Sequence, residues 1–258
     1  MAMWRVRGFS IQGYAHLMEG SPCQDAYRQA AVGSSVVLAV ADGAGSRPRS
    51  AEGAALLVTL ATEILAGLLK APGGPGDPPT LKRNLGTAYD RIRAEFLRKA
   101  SLLGGDGQAG DFAATLVAAV VAGPVVGIIQ VGDGFAVVRT TDRAGGTGYH
   151  LLSQPTVTGQ HANETIFVTS PGAAGPALAV THDEGITGVL LSTDGLVPAA
   201  LRRDEGHAQL PNRDFVERVL SHLDGDASDP RLVVRTMLSD GVVGRTGDDL
   251  TLLAAVRA

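Results

Sequence analysis

Three apolar runs separated by two tight-turn signals constrain this fold more than any other stretch. Ala113–Ala122, Val125–Val131 and Phe135–Thr140 are broken only by Gly123-Pro124 and Gly132-Asp133-Gly134. Runs of this length, rich in aliphatic residues and bounded by glycine turns, read as strands. Strands linked by such short connections pair antiparallel, which argues against βαβ repeats. A further hairpin is read upstream, where Gly33-Ser34-Ser35 joins Ala26–Val32 to Val36–Ala41.

The remaining elements fill in around these hairpins. Trp4–Tyr14 alternates loosely and predicts an opening strand, followed by a loop marked by Gly20 and Pro22. Beyond Asp42, Ser46 or Ser50 can cap a helix whose apolar residues Ala51, Ala54, Ala55, Val58, Leu65 and Leu68 recur at helical spacing. Ala71–Pro79 (APGGPGDPP) ends it, and Thr80 is read as the cap of a second helix with Leu81, Leu85, Ala88, Ile92 and Phe96 on one face. After the Gly104–Gly110 loop and the three strands, two more strands are expected near Tyr149–Leu152 and Thr165–Thr169. A polar loop with His161, Asn163 and Glu164 separates them. Then come a strand at Gly188–Thr193, a helical turn from Pro198, helices at Asn212–Leu223 and from Asp229-Pro230 to Gly241, and a last strand at Leu250–Val256. No boundary between independent cores is marked, so residues 1–258 are read as one domain.

Acids recur where these strands end. Val36–Ala41 runs into Asp42-Gly43, and Gly188–Thr193 runs into Asp194-Gly195. Asp25 opens the strand antiparallel to the one Asp42 closes, and Asp248-Asp249 directly precede the last strand. An Asp-Gly pair by itself is a common turn, and Asp25 alone reads as a solvated loop acid. Four carboxylates at strand termini are harder to dismiss, because each is costly there without a partner. Hard divalent ions take oxygen ligands, and glycine after the acid lets its own backbone approach closely. Paired ions of this kind serve the in-line hydrolysis of phosphate esters.

Composition removes several other classes. A formal charge of −4 and 4% aromatic residues give no basis for nucleic-acid or anionic-membrane binding. With one cysteine, Cys23, no internal disulfide forms, which fits a reducing compartment. The opening residues lack the apolar block of a signal peptide, and no uninterrupted apolar run has membrane-spanning length. The expectation is a soluble, cytoplasmic protein with no membrane partner.

The motifs carry a resemblance over nearly the whole chain. QDA at Gln24–Ala26, VADGAGS at Val40–Ser46, the strand from Ala113, VGDG at Val131–Gly134, STDGL at Ser192–Leu196 and GDDLTLL at Gly247–Leu253 follow one another in order. Together they resemble the metal-dependent protein phosphatase 2C family. SPCQDA and ANETIFVTS (Ala162–Ser170) are similar to its compact bacterial branch. The resemblance implies an α+β fold, a four-layer α-β-β-α sandwich of two antiparallel sheets flanked by helical pairs. It implies two Mg²⁺ or Mn²⁺ ions, a third being an additional expectation, and a metal-bridging hydroxide that attacks phosphoserine or phosphothreonine of a protein substrate phosphorylated by a serine/threonine kinase. Asp42 matches the aspartate that bridges both ions and Gly43 a carbonyl ligand; Asp194 and Asp248 match further ligands, and Asp25 one that acts directly or through water. Asp111 is the match for a third-ion ligand, although its offset from Thr115 is one residue short, and Asp133 is read as structural. Asp248 rather than Asp249 is taken as the ligand, since adjacent side chains at a strand start point to opposite faces.

Two departures from the family pattern bear on activity. Gly20 stands where many members carry a phosphate-gripping arginine, and Ala44 where some carry a histidine that serves as general acid. Leaving-group protonation is then expected from water. The candidates to grip phosphate are His16 and Arg47, with Arg49 ranked behind them; a hydrogen-bonding loop histidine and solvated helix-start arginines are the competing readings. Two rivals accompany the phosphatase reading. One is a catalytically weak, phosphatase-like module that binds a phosphoprotein as a regulator. The other is a metal phosphoesterase of unrelated fold, disfavoured because the six histidines show no ligand spacing.

Overall fold

A computed structural model describes residues 3–104, 108–155, 165–170, 175–203, 209–225 and 229–258. In chain order the elements begin with β1 (Trp4–Ile11), α1 (Tyr14–Glu19), β2 (Asp25–Val32), β3 (Ser35–Asp42), α2 (Ser50–Lys70) and α3 (Pro78–Leu103). They continue with β4 (Leu116–Ala122), β5 (Val125–Val131), β6 (Phe135–Thr141), β7 (Thr147–Ser153), β8 (Ala177–His182) and β9 (Ile186–Ser192). The last third holds α4 (Val197–Ala200), β10 (Leu201–Arg203), β11 (Gln209–Pro211), α5 (Arg213–Ser221), α6 (Pro230–Met237), α7 (Asp240–Val243) and β12 (Leu250–Arg257).

Two five-stranded antiparallel sheets form the centre. One has the order β2-β3-β4-β5-β8, the other β1-β12-β9-β6-β7. Because strand side chains alternate, each central strand supplies two cores. Val36, Leu38 and Val40 of β3 meet Val189 and Leu191 of β9 and Leu253 of β12 between the sheets. Val37, Ala39 and Ala41, from the other face of β3, pack under Leu57, Leu65, Leu85 and Phe96 of α2 and α3. Leu190 and Leu252 face Phe215, Val219, Val233 and Met237 of α5 and α6. The result is the expected α-β-β-α sandwich.

Helix α2 is long and apolar enough, by length and composition, to cross a membrane, with a mean hydropathy of 1.6 over its most apolar window. Here its buried residues, among them Ala54, Leu57, Ala61 and Leu65, serve the first of the helix-to-sheet cores.

Several local expectations are corrected. The opening strand stops at Ile11, and the segment read as a loop contains α1. Helix α3 is capped by Asp77, whose side chain accepts from the Thr80 N–H at 2.8 Å, with Pro78 in the first turn. Proline there lacks only an N–H that would have no helical partner. Thr165–Thr169 is not a strand: its Val168 is fully buried and donates its N–H to the Ala114 carbonyl at 3.0 Å. The three consecutive strands read as one antiparallel run are split: β4 pairs with β5, but β6 lies in the other sheet, paired with β7 and β9, because the Gly132-Asp133-Gly134 turn crosses between the sheets. The strand beside β5 is instead β8, and a short β10–β11 hairpin was unforeseen. The helix from Pro230 ends at Met237, with α7 following as a separate turn. The polar-loop residues His161, Asn163 and Glu164 lie outside the described residues.

Candidate functional site

Three carboxylates from both sheets converge at one end of the sandwich. One oxygen from each of Asp42, Asp133 and Asp194 lies within 4.8 Å of the other two. Asp42 closes β3, Asp133 sits in the turn from β5 to β6, and Asp194 opens a 3₁₀ turn directly after β9.

Local bonding fixes each of them. The Asp42 N–H donates to Thr115 Oγ1 at 3.0 Å, and its carbonyl accepts from the Thr115 N–H at 2.8 Å. Gly43 next forms a bridge to Ala114, carried by the flanking pairs Asp42 with Thr115 and Ala44 with Ala113. In that arrangement the Gly43 carbonyl is not used by the bridge. A side chain at Gly43 would meet the Ser50 backbone at 2.7 Å and the Gln24 carbonyl at 2.9 Å, so only glycine fits. Asp133 follows Gly132, whose φ of 97° is a left-handed conformation that turns the chain from one sheet to the other. Its Oδ2 accepts from Thr165 Oγ1 at 2.6 Å, while Oδ1 is buried without a hydrogen-bond partner among the described residues.

Asp25 is the residue opposite Asp42 in the β2–β3 register. Its Oδ2 accepts from Thr193 Oγ1 at 2.8 Å, tying it to the residue before Asp194. Asp248 precedes β12, and its Oδ1 accepts from the Asp249 N–H at 2.8 Å. Asp249 has a different task. Only 1% exposed, it accepts from the Gly13 N–H at 2.7 Å and from the Gln24 N–H at 2.6 Å, so it fastens α1 and the start of β2 to the β12 loop.

Crowding makes these acids hard to ionise together. Burial, followed by the charges of Asp25, Asp194, Asp248 and Asp133, holds the Asp42 carboxyl well above the ordinary range. Burial, followed by Asp133, Asp248 and Asp25, pushes Asp194 up to about 8. Burial also pushes Asp25 up to about 7; hydrogen bonds from Thr193 and Thr251 oppose this, and Asp249 and Asp248 reinforce it. A divalent cation placed among them removes the repulsion and gives the bare Asp133 oxygen a partner. The oxygen-only donor set fits such an ion.

The expected accessory residues fare differently. Asp111 lies on the 3₁₀ turn Ala109–Phe112 and, like Asp25 and Asp248, is not one of the three converging carboxylates. His16 Nδ1 lies 3.0 Å from Asp249 Oδ1, an ion-pair distance, but makes no well-aligned hydrogen bond among the described residues. Arg49 pairs with Glu52 at 2.6 Å, donates to the Leu103 carbonyl at 2.5 Å and stacks 4.2 Å from the Phe112 ring centre. Arg47 is exposed and lines a pocket of about 320 Å³ together with Ser21, Pro22, Gln24 and Gly45. Asp133 is the residue the sequence reading set aside. Its signal was the same as for Asp42 and Asp194, an apolar strand running into an Asp-Gly pair, here Val125–Val131 before Gly132-Asp133-Gly134.

A family model described as protein phosphatase 2C matches residues 12–238. The chain is 30% identical over 264 residues to serine/threonine-protein phosphatase 3 of Escherichia coli (strain K12), covering 99% of both chains. Among solved structures it is similar to the serine/threonine phosphatase of S. agalactiae, with a TM-score of 0.67, 16% identity and coverage of 98% of this chain and 99% of that one. It is also similar to the catalytic domain of the serine/threonine phosphatase PstP, determined in complex with two manganese ions, with a TM-score of 0.60, 18% identity and full coverage of both chains. With the acids of two antiparallel sheets gathered at one end of the sandwich, these matches establish that the chain belongs to the protein phosphatase 2C family.

Proposed function

We propose that this protein is a Mg²⁺- or Mn²⁺-dependent phosphatase that removes phosphate from phosphoserine and phosphothreonine in proteins phosphorylated by a serine/threonine kinase. The observation that carries the reading is the convergence of Asp42, Asp133 and Asp194 from three separate connections. The family and the name of the Escherichia coli relative support the substrate class, and the manganese ions of PstP support the cofactor.

Asp42, Asp194, Asp248 and the Gly43 carbonyl are assigned as ligands of two ions, with Asp25 acting directly or through water. Asp133 is a better placed candidate than Asp111 for any further ion, because its Oδ1 is buried and has no hydrogen-bond partner among the described residues. When bound, a pair of such ions carries the charge of the phosphoryl group and activates water for in-line attack, so no side chain need form a phosphoenzyme. The chain's own part is positional. Thr115 fixes the Asp42 backbone and Thr193 orients Asp25. Asp249 holds the loops that carry Gly13, Gln24 and Asp248 in place. Arg47 is assigned to the substrate phosphate, because Arg49 is committed to Glu52 and Leu103, His16 Nδ1 faces Asp249, and no side-chain partner holds Arg47 among the described residues.

Phosphate release from phosphoserine and phosphothreonine peptides, titrated with Mn²⁺, tests the reading. Saturable, chelator-sensitive turnover is expected. Peptide binding without turnover at saturating metal would instead favour the phosphatase-like regulator.

A further inference from the structure

Gln130 is an amide where its neighbours are aliphatic. It lies on β5 and is only 2% exposed. Strand alternation puts its side chain on the same face as Val126 and Ile128, which pack in the core between the two sheets. An amide buried there is costly unless its donors are used. Gln130 Nε2 donates to the Gly134 and Gln154 carbonyls, each at 2.8 Å, and to the Gly132 carbonyl at 3.1 Å. All three partners can only accept, so the orientation of the amide is fixed, with two hydrogens shared among three oxygens.

These bonds converge on one acid. Gly132 and Gly134 flank Asp133, in the turn that takes the chain from β5 in one sheet to β6 in the other. Gln154 directly follows β7, the strand paired with β6. One side chain therefore holds both sides of the crossing and ties it to the far sheet. The turn is also packed against the connections that carry the other two acids. A side chain at Gly134 would meet the Ser192 carbonyl at 2.7 Å, two residues before Asp194. One at Gly132 would overlap the side chain of Thr115, which fixes the Asp42 backbone. The carboxylate itself is oriented by Thr165, whose hydroxyl donates to Oδ2 at 2.6 Å.

We propose that Gln130 is a positioning residue for a divalent ion held by Asp133, its amide fixing the crossing turn so that the carboxylate stays with those of Asp42 and Asp194. The proposal rests on the phosphatase reading and deepens it at the cluster. A glycine on each side of Asp133 leaves the turn intrinsically adaptable, so a fixed carboxylate needs a hold from outside the turn. Gln130 supplies that hold from a rigid strand. Partners that orient a metal ligand in this way typically contribute about ten- to a hundred-fold in metal affinity.

The test is a double-mutant cycle on Mn²⁺ binding to the metal-free protein, read by calorimetry, with melting curves on every variant. Asp133→Asn identifies the binding event that belongs to Asp133. Gln130→Met, of similar volume but without donors, should weaken that same event about ten-fold and leave the others within about two-fold. In the Asp133→Asn background the same substitution should have no further effect on Mn²⁺ binding. If Gln130→Met does not fold, Gln130→His, which keeps one ring N–H donor, takes its place in the cycle with a smaller weakening expected; failure of both to fold marks a purely structural residue and overturns the proposal. Unchanged Mn²⁺ binding in Gln130→Met, equal weakening of every event, or a weakening that persists undiminished in the Asp133→Asn background also overturns it. If Asp133→Asn weakens no event, Asp133 holds no ion and the proposal falls while the phosphatase reading stands. If wild type binds no Mn²⁺ at all, the phosphatase reading itself has failed.

Discussion

Asp25 and Asp42 stand directly opposite each other across the β2–β3 ladder, at its open end. Like charges at paired positions destabilise a sheet, so this pairing runs against the needs of the strands themselves. It persists in a sheet whose other rungs are well packed, with Thr193 bonded to one oxygen of Asp25 and Asp194 and Asp133 approaching Asp42 from the facing connections. Local cost at a chemically useful place is the signature of a site built for a cation.

Removing the shared charge is the sharpest single change. Asp42→Asn should lower turnover at least about a hundredfold at saturating Mn²⁺ and leave the metal-free fold intact. Asp194→Asn should do likewise, since it occupies the same cluster. Steady-state kinetics beside a melting curve check both halves, and near-wild-type activity in both variants would refute the ligand assignment.

Asp248 and Asp249 should separate cleanly. Asp249 accepts two backbone N–H groups at 2.7 and 2.6 Å and is almost wholly buried, so Asp249→Ala should cost about 2–4 kcal/mol of stability. Asp248→Asn should leave the melting temperature nearly unchanged and weaken Mn²⁺ binding about ten-fold or more. Calorimetry on both variants reads the split; equal effects on stability and metal affinity in the two would contradict it.

Two glycines give opposite expectations. At Gly195 an added Cβ would run into the Asp249 carbonyl, so Gly195→Ala should destabilise by about 1–3 kcal/mol. At Gly67, in α2, an added Cβ meets nothing within 4 Å, and Gly67→Ala should stabilise by about 0.5–1 kcal/mol. Denaturant midpoints decide the pair.

The raised carboxyl groups set a pH dependence with a definite sign. Asp25 at about 7, Asp194 at about 8 and Asp42 well above the ordinary range bind more protons folded than unfolded. The metal-free protein should therefore lose stability as pH rises from about 4 to about 8. Mn²⁺ should displace those protons, bind more tightly across the same window and flatten the dependence. Melting temperatures between pH 5.5 and 8.5, with and without Mn²⁺, test this. A metal-free melting temperature that climbs with pH would contradict it.

The sandwich was legible because its signals are long and redundant. Val36–Ala41 and Gly188–Thr193 are too apolar to lie anywhere but inside, and the turn at Gly123-Pro124 leaves only antiparallel pairing of its two strands. Gly132-Asp133-Gly134 misled as a hairpin signal, because the same short turn serves to pass the chain from one sheet to the other. The acids stood out for the same reason, as charges at the tips of buried strands. Helix α1 was invisible because it buries no face, so no period of apolar residues records it. β10 and β11 have three residues each and carry no pattern at all. Asp133 was missed for another reason: a glycine on each side offered a complete explanation as a turn, and its neighbours in the cluster come from distant parts of the chain.

The central claim is that Asp42 and its neighbours hold divalent metal. Anomalous diffraction at the manganese edge, from crystals grown with Mn²⁺, tests it most directly. The account predicts at least two peaks bounded by Asp42, Asp194 and Asp248, at about 2.0–2.3 Å from their oxygens. An active crystalline enzyme with no peak there, or with manganese bound only elsewhere, would contradict it.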